Sequence, residues 1–185
     1  MRHLHYNRTK RGFTLVETLV AITILLVGIV GPMTIAARGL QAAFHARDEV
    51  TAFSLAQEGS ELMRELRDEN ALRSNGWLDG MGLCNSINGC GLDTRSNTPR
   101  DCNNGGTDCR LNYYRGSLTN RRGFYTYASG ASTTLSPFTR QIWMTPVAGG
   151  AEAQVTVKVS WRSGIFDSVR TVTIQSRLFN QYDNL

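Results

Sequence analysis

The sequence predicts an α+β fold in which a long N-terminal transmembrane and spine helix packs on a small antiparallel β-sheet. Three observations predict it: an apolar run near the N-terminus, an amphipathic helical pattern after that run, and strand-like alternation in the last third. The 185 residues are 41% hydrophobic and 19% charged, which excludes wholesale disorder. The 18 glycines show no three-residue period, which excludes a collagen-like chain.

Residues 1–12 form a basic leader that contains no acidic residue. They hold four of the 20 cations, which leaves 16 basic against 15 acidic residues and a net charge of +1 in the rest of the chain. The basic composition is therefore poor evidence that the rest of the chain binds nucleic acid. A basic block before an apolar run indicates membrane targeting, with the N-terminus in the cytoplasm and the C-terminal region on the other side.

Residues 13–37 form an apolar run with one ionisable side chain, Glu17. As a helix, its uncharged part spans about 30 Å, roughly the hydrocarbon core of a bilayer. The run is too long for an ordinary secretory signal, whose apolar region has about 7–15 residues. A plain membrane anchor does not explain Glu17, because an acid in a spanning helix costs about 2.5–3.5 kcal/mol. A tolerated acid at the membrane interface remains the alternative for Glu17.

The segment KRGFTLVE, residues 10–17, resembles the cleavage and methylation motif of type IV pilins and type II secretion pseudopilins. The resemblance implies that a prepilin peptidase cuts between Gly12 and Phe13, removes residues 1–12 and methylates Phe13. It also implies that Glu17 meets the N-terminal amine of a neighbouring subunit, which suits a buried carboxylate that needs a positive partner.

Three residues interrupt the apolar helix: Gly28, Gly31 and Pro32. They are consistent with an ordinary kinked membrane helix, because proline removes a backbone donor. The resemblance implies instead a helix that loosens at such residues when it packs in a filament.

Residues 38–74 continue the helix as an amphipathic segment that ends near Asn75-Gly76. Six side chains fall within about 80° on a helical wheel. They are Leu40, Phe44, Thr51, Leu55, Leu62 and Leu66.

Residues 75–122 are predicted to be a loop region rich in glycine, asparagine and cysteine. All four cysteines lie in it, and outside the cytoplasm two disulfides are the favoured interpretation. Three connectivities are open, and proximity in sequence favours Cys84–Cys90 with Cys102–Cys109. Zinc is disfavoured because the cysteine spacings are wider than those of usual ligand pairs. A calcium site with oxygens of Asp101, Asn103, Asn104 and Asp108 is disfavoured because no full calcium loop is present.

Residues 123–185 are predicted to form an antiparallel β-sheet with one buried face. Val155, Val157, Val159 and Trp161 alternate cleanly with polar residues, and Gly149-Gly150 and Ser163-Gly164 mark turns. A sheet that packs on the C-terminal half of a long helix is similar to the pilin roll. Many major pilins fasten the last strand region with a disulfide, but no cysteine follows Cys109. This departure favours a minor pilin or a pseudopilin.

No catalytic constellation is predicted, because His45 is the one histidine beyond the leader and no phosphate-binding loop is present. The competing hypothesis is a filament-tip module that binds DNA or surface ligands through segment 110–125. Its four arginines interleave with aromatic residues that can stack on bases. The favoured interpretation is an arginine-rich solvated loop that leads into a strand with core aromatics. The four arginines are Arg110, Arg115, Arg121 and Arg122.

The sequence and the resemblance therefore predict a structural subunit of a type IV pilus or a type II secretion pseudopilus, with no enzyme activity and no cofactor. Its expected partners are other pilin or pseudopilin subunits, the prepilin peptidase, an inner-membrane assembly platform and the inner-membrane lipid. The expected location is a single-pass inner-membrane precursor with its C-terminal domain outside the cytoplasm, and then an extracellular pilus or a periplasmic pseudopilus.

Overall fold

The computed structural model describes residues 12–103, 109–116, 123–162 and 168–180. One helix, α1 (Leu15–Leu72), is followed by a 3₁₀ turn, η1 (Gly82–Asn85). The strands of one antiparallel sheet follow: β1 (Cys90–Gly91), β2 (Arg100–Asp101), β3 (Arg110–Tyr114), β4 (Tyr125–Thr126), β5 (Thr133–Pro146), β6 (Glu152–Arg162) and β7 (Val169–Phe179). The predicted α+β fold with a spine helix is confirmed.

Strand β5 is the centre of the sheet. On one side it pairs with β6, which pairs with β7. On the other side, the first part of β5 pairs with β3, and Ile142 pairs with Cys90 in β1. The β5–β6 and β6–β7 ladders run without a register shift, as strict alternation of buried and exposed side chains requires. Gly149 and Gly150, in the turn between β5 and β6, both have positive φ, the conformation that glycine adopts without strain.

The part of α1 that follows His45 packs its apolar stripe on this sheet. Leu55, Leu62 and Leu66 are buried, as the helical wheel predicts. Leu40 and Phe44 share that predicted stripe but are exposed. Both precede His45, where the compact C-terminal unit begins. The wheel therefore identified the correct face but extended it too far towards the N-terminus.

Small residues let the helix lie close to the sheet. Ala52, Ala56 and Gly59 are buried on the face of α1 that meets β5 and β6. A Cβ atom at Gly59 would lie 2.9 Å from Val157 Cγ1 and 3.3 Å from Arg140 Cδ. Because atoms at 2.9 Å overlap, the backbone of α1 can come this close to β6 only with glycine at this position.

The prediction of a loop over residues 75–122 needs correction, because η1, β1, β2 and β3 lie within it. Two of these strands have two residues each, and β3 reads RLNYY without a clean alternation. They are strands because they pair with β5 or with each other, and pairing between distant segments leaves little local signal in the sequence.

Candidate processing and assembly site

The N-terminal end of α1 begins two residues after Phe13. Gly12, Phe13 and Thr14 precede the helix, and Phe13 is 79% exposed. The backbone amide of Glu17 donates to Thr14 Oγ1 at 3.3 Å, and the amide of Thr18 donates to the Thr14 carbonyl at 3.2 Å. Thr14 is therefore the N-cap of α1. Glu17 lies in the first turn, where the helix dipole favours a negative charge.

The sequence around this end of α1 matches a known family. Residues 7–31 match the family described as the prokaryotic N-terminal methylation motif, the signature of type IV pilins and pseudopilins. The chain carries the prokaryotic N-terminal methylation motif. The resemblance drawn from residues 10–17 is thereby confirmed. No curated protein and no solved structure is significantly similar to the chain.

The methylation motif opens onto a helix that is long and apolar enough to cross a membrane, by length and composition, with a window of mean hydropathy 2.4. Its threonines do not leave polar groups unsatisfied. The hydroxyls of Thr18, Thr23 and Thr34 each donate to the carbonyl three residues earlier, at 2.7–2.8 Å. In lipid this matters, because unpaired polar groups there are costly. The motif and the apolar helix together indicate a membrane-anchored chain with a C-terminal domain.

Gly28, Gly31 and Pro32 do not break α1, which is helical through all three residues. The proline is tolerated for a local reason. Its ring normally clashes with the Cβ of the preceding residue, and Gly31 has no Cβ. Loosening of the helix at this point in a filament remains a prediction.

The four cysteines join neighbours in sequence, as Cys84–Cys90 and Cys102–Cys109, and none is free. All four are fully buried. Both disulfides lie in segment 84–109: Cys84–Cys90 joins η1 to the first residue of β1, and Cys102–Cys109 joins the residue after β2 to the residue before β3.

A buried charge that the sequence analysis did not identify links α1, segment 84–109 and β5. Arg140 in β5 has 0% exposure. Its guanidinium donates to the Leu55 carbonyl in α1 at 3.1 Å, to the Leu92 carbonyl at 2.7 Å and to Tyr127 Oη at 3.2 Å. Nη1 also lies 3.3 Å from Glu58 Oε2. α1 and segment 84–109 therefore both contribute carbonyl groups that bind this one buried cation of β5.

A buried carboxylate follows next to Leu92. Asp93 Oδ2 accepts from the Thr126 hydroxyl at 2.8 Å and from the Tyr127 amide at 2.9 Å. Oδ1 accepts from the amides of Arg95 and Ser96, both at 3.0 Å. Burial acts to raise the pKa of Asp93, but these hydrogen bonds to the ionised form outweigh burial and hold the pKa below its ordinary value. The carboxylate therefore stays charged inside the domain.

Of these two buried charges, only Arg140 had a signal in the sequence. Arg140 lies between Phe138 and Ile142, so it occupies an inward position of β5. A charged residue in an inward register predicts a buried, hydrogen-bonded group. Asp93 had no such signal, because its partners Thr126 and Tyr127 are more than 30 residues away.

The aromatic residues of segment 110–125 pack on one another. The rings of Tyr113 and Tyr125 lie 5.3 Å apart, and those of Tyr114 and Phe124 lie 4.9 Å apart. Tyr125 also contacts Phe138 of the core, at 5.7 Å between ring centres. These contacts favour the interpretation of the rings as packing residues.

The arginines of the same segment are only partly described. Arg110 donates to the Ser136 carbonyl at 2.8 Å, and Arg115 is exposed after β3. Arg121 and Arg122 lie outside the described residues, so nucleic-acid contact through this segment remains a prediction. Asn104 and Asp108 of the disfavoured calcium site also lie outside them. Within residues 12–103, 109–116, 123–162 and 168–180, no three His, Cys, Asp or Glu side chains are grouped as metal ligands.

Proposed function

We propose that the chain is a structural subunit, a minor pilin or pseudopilin, of a type IV pilus or a type II secretion pseudopilus. The observation that carries the proposal is the methylation motif at the exposed start of an apolar helix, with Glu17 as the acidic residue of the first turn. In this proposal a prepilin peptidase cuts between Gly12 and Phe13 and methylates Phe13. The precursor is anchored in the inner membrane with its leader in the cytoplasm.

Glu17 has a specific task in the assembled filament. Its carboxylate bonds the new N-terminal amine of a neighbouring subunit, because a carboxylate among apolar helices needs a positive partner. The apolar residues of α1 leave lipid and pack in a helical bundle, so their burial is retained. An assembly platform in the inner membrane supplies the extraction step.

The minor or pseudopilin role is supported by the position of the disulfides. They lie in segment 84–109, around the short strands β1 and β2, and β7 carries no cysteine. Strand β7 is held instead by its eleven residue pairs with β6.

The first experiment expresses the chain with a prepilin peptidase and weighs its N-terminus by mass spectrometry, with a catalytically inactive peptidase as control. A chain that begins at N-methylated Phe13 supports the proposal. An intact N-terminus, or a cut beyond Ala37, contradicts it.

The role of Glu17 is tested separately with Glu17→Ala in cells that assemble the filament. We expect normal insertion and cleavage but poor incorporation, because the amine of the neighbour loses its partner. Glu17→Asp, which keeps the charge, is the matched control. Normal incorporation of the alanine variant would refute this role.

A further inference from the structure

The residue at which α1 begins determines whether the carbonyl of the bond to be cut accepts a hydrogen bond within the helix. The bond to be cut joins the Gly12 carbonyl to the Phe13 nitrogen. In an α-helix, the N-cap residue already accepts the first intrahelical hydrogen bond with its own carbonyl. Here that residue is Thr14, whose carbonyl accepts from the Thr18 amide at 3.2 Å. The Gly12 carbonyl lies outside the helix, two residues before this first acceptor.

An alternative start lies close by. Glycine and threonine have similar N-cap preferences, and neither Phe13 nor Leu15 is a residue that stops a helix. A helix capped at Gly12 would engage the Gly12 carbonyl with the Val16 amide. The scissile carbonyl would then be the first acceptor of the helix rather than a free group.

The hydroxyl of Thr14 favours the later start. Thr14 Oγ1 accepts from the Glu17 amide at 3.3 Å, so it satisfies a donor that the first turn otherwise leaves unpaired. A threonine followed three residues later by glutamate is also the sequence pattern of a capping box. Loss of an N-cap hydroxyl shifts such an equilibrium by about fivefold.

We propose that Thr14 is a positioning residue for the processing reaction. Its hydroxyl caps α1 one residue before Leu15 and so keeps the Gly12 carbonyl out of the helix and available to the peptidase. The inference rests on the proposed processing between Gly12 and Phe13. It also gives Glu17 a second role: its backbone amide bonds the Thr14 hydroxyl, independently of its carboxylate.

The test compares two substitutions that separate the hydroxyl from the shape of the side chain. The full-length precursor in membrane vesicles is cleaved by purified prepilin peptidase, and kcat/KM is measured for the wild type, Thr14→Ser and Thr14→Val. Serine keeps the cap and valine keeps the shape. We expect Thr14→Ser to lie close to the wild type and Thr14→Val to be slower than both, by up to about fivefold. Thr18→Val, one turn later, removes a hydroxyl that caps nothing and should leave the rate unchanged.

Equal rates for all three chains, or a slow serine variant beside a normal valine variant, would overturn the inference. The second pattern would mean that the peptidase reads the shape of the side chain. A measurement without the peptidase decides the helix start itself: amide hydrogen exchange of the uncleaved chain in detergent micelles. We expect protection of the Glu17 amide in the wild type and Thr14→Ser, and new protection of the Val16 amide in Thr14→Val. An unchanged pattern in Thr14→Val would also overturn the inference.

The two proposals fail in different ways. If the wild type is not cut between Gly12 and Phe13, the proposed function fails, and the exchange pattern still reports the cap. If all variants are cut equally, the proposed function stands, and the role of Thr14 is refuted.

Discussion

Replacement of Arg140 by alanine is expected to destabilise the C-terminal unit by about 3–5 kcal/mol. The guanidinium is fully buried and donates to Leu92 O, Tyr127 Oη and Leu55 O. Its loss leaves buried acceptors unpaired, each at a cost of about 1–3 kcal/mol, and a cavity between α1 and β5 adds to this. The side chain of Glu58 is 34% exposed, so its carboxylate regains water and adds little.

The assay is urea unfolding of the processed full chain in detergent micelles at pH 7, followed by tryptophan fluorescence, which reports on the buried Trp161. Lys158→Ala is the matched control, because it removes an exposed cation from β6 and should change the free energy of unfolding by less than about 0.5 kcal/mol. Arg140→Met keeps most of the side-chain volume and should lose less than alanine. If a folded alanine variant lost less than about 1 kcal/mol in its free energy of unfolding, the view that Arg140 joins α1, segment 84–109 and the sheet would be refuted.

Three further predictions concern the same unit. Because hydrogen bonds hold the pKa of Asp93 below its ordinary value, the stability that they provide is complete above about pH 4 and is lost as the pH falls through the folded-state pKa. Urea midpoints at decreasing pH should show this loss in the wild type, and a similar slope in Asp93→Asn would contradict it. Gly59→Ala should destabilise the unit by about 1–3 kcal/mol in thermal unfolding, because its Cβ has no room. Gly39→Ala is the control, because the space around Gly39 is open, and it should not destabilise the chain. Equal effects of the two substitutions would disprove the close approach of α1 to β6. Replacement of Cys84 and Cys90 by serine should cost about 2–4 kcal/mol, measured by urea unfolding, and an unchanged midpoint would show that this disulfide is dispensable.

Local patterns in the sequence were enough for the elements that repeat with a fixed period. The apolar run of residues 13–37, the buried face of Leu55, Leu62 and Leu66, and the alternation around Val157 all agree with the structure. Each depends on whether residues three, four or two apart share one face, which the sequence states directly. The methylation motif is equally local, since it depends on the order of residues within 7–31.

The sequence alone determined the spine helix, the principal strands and the methylation motif, because these follow from neighbours along the chain. The tertiary structure decided what depends on distant partners. It decided that Leu40 and Phe44 stay exposed, that β3 pairs with β5, and that Arg140 lies buried among groups from α1, Leu92 and Tyr127. A buried charge is tolerable only when its hydrogen-bond partners surround it. Those partners are brought together by the packing of the helix on the sheet, which no local pattern records.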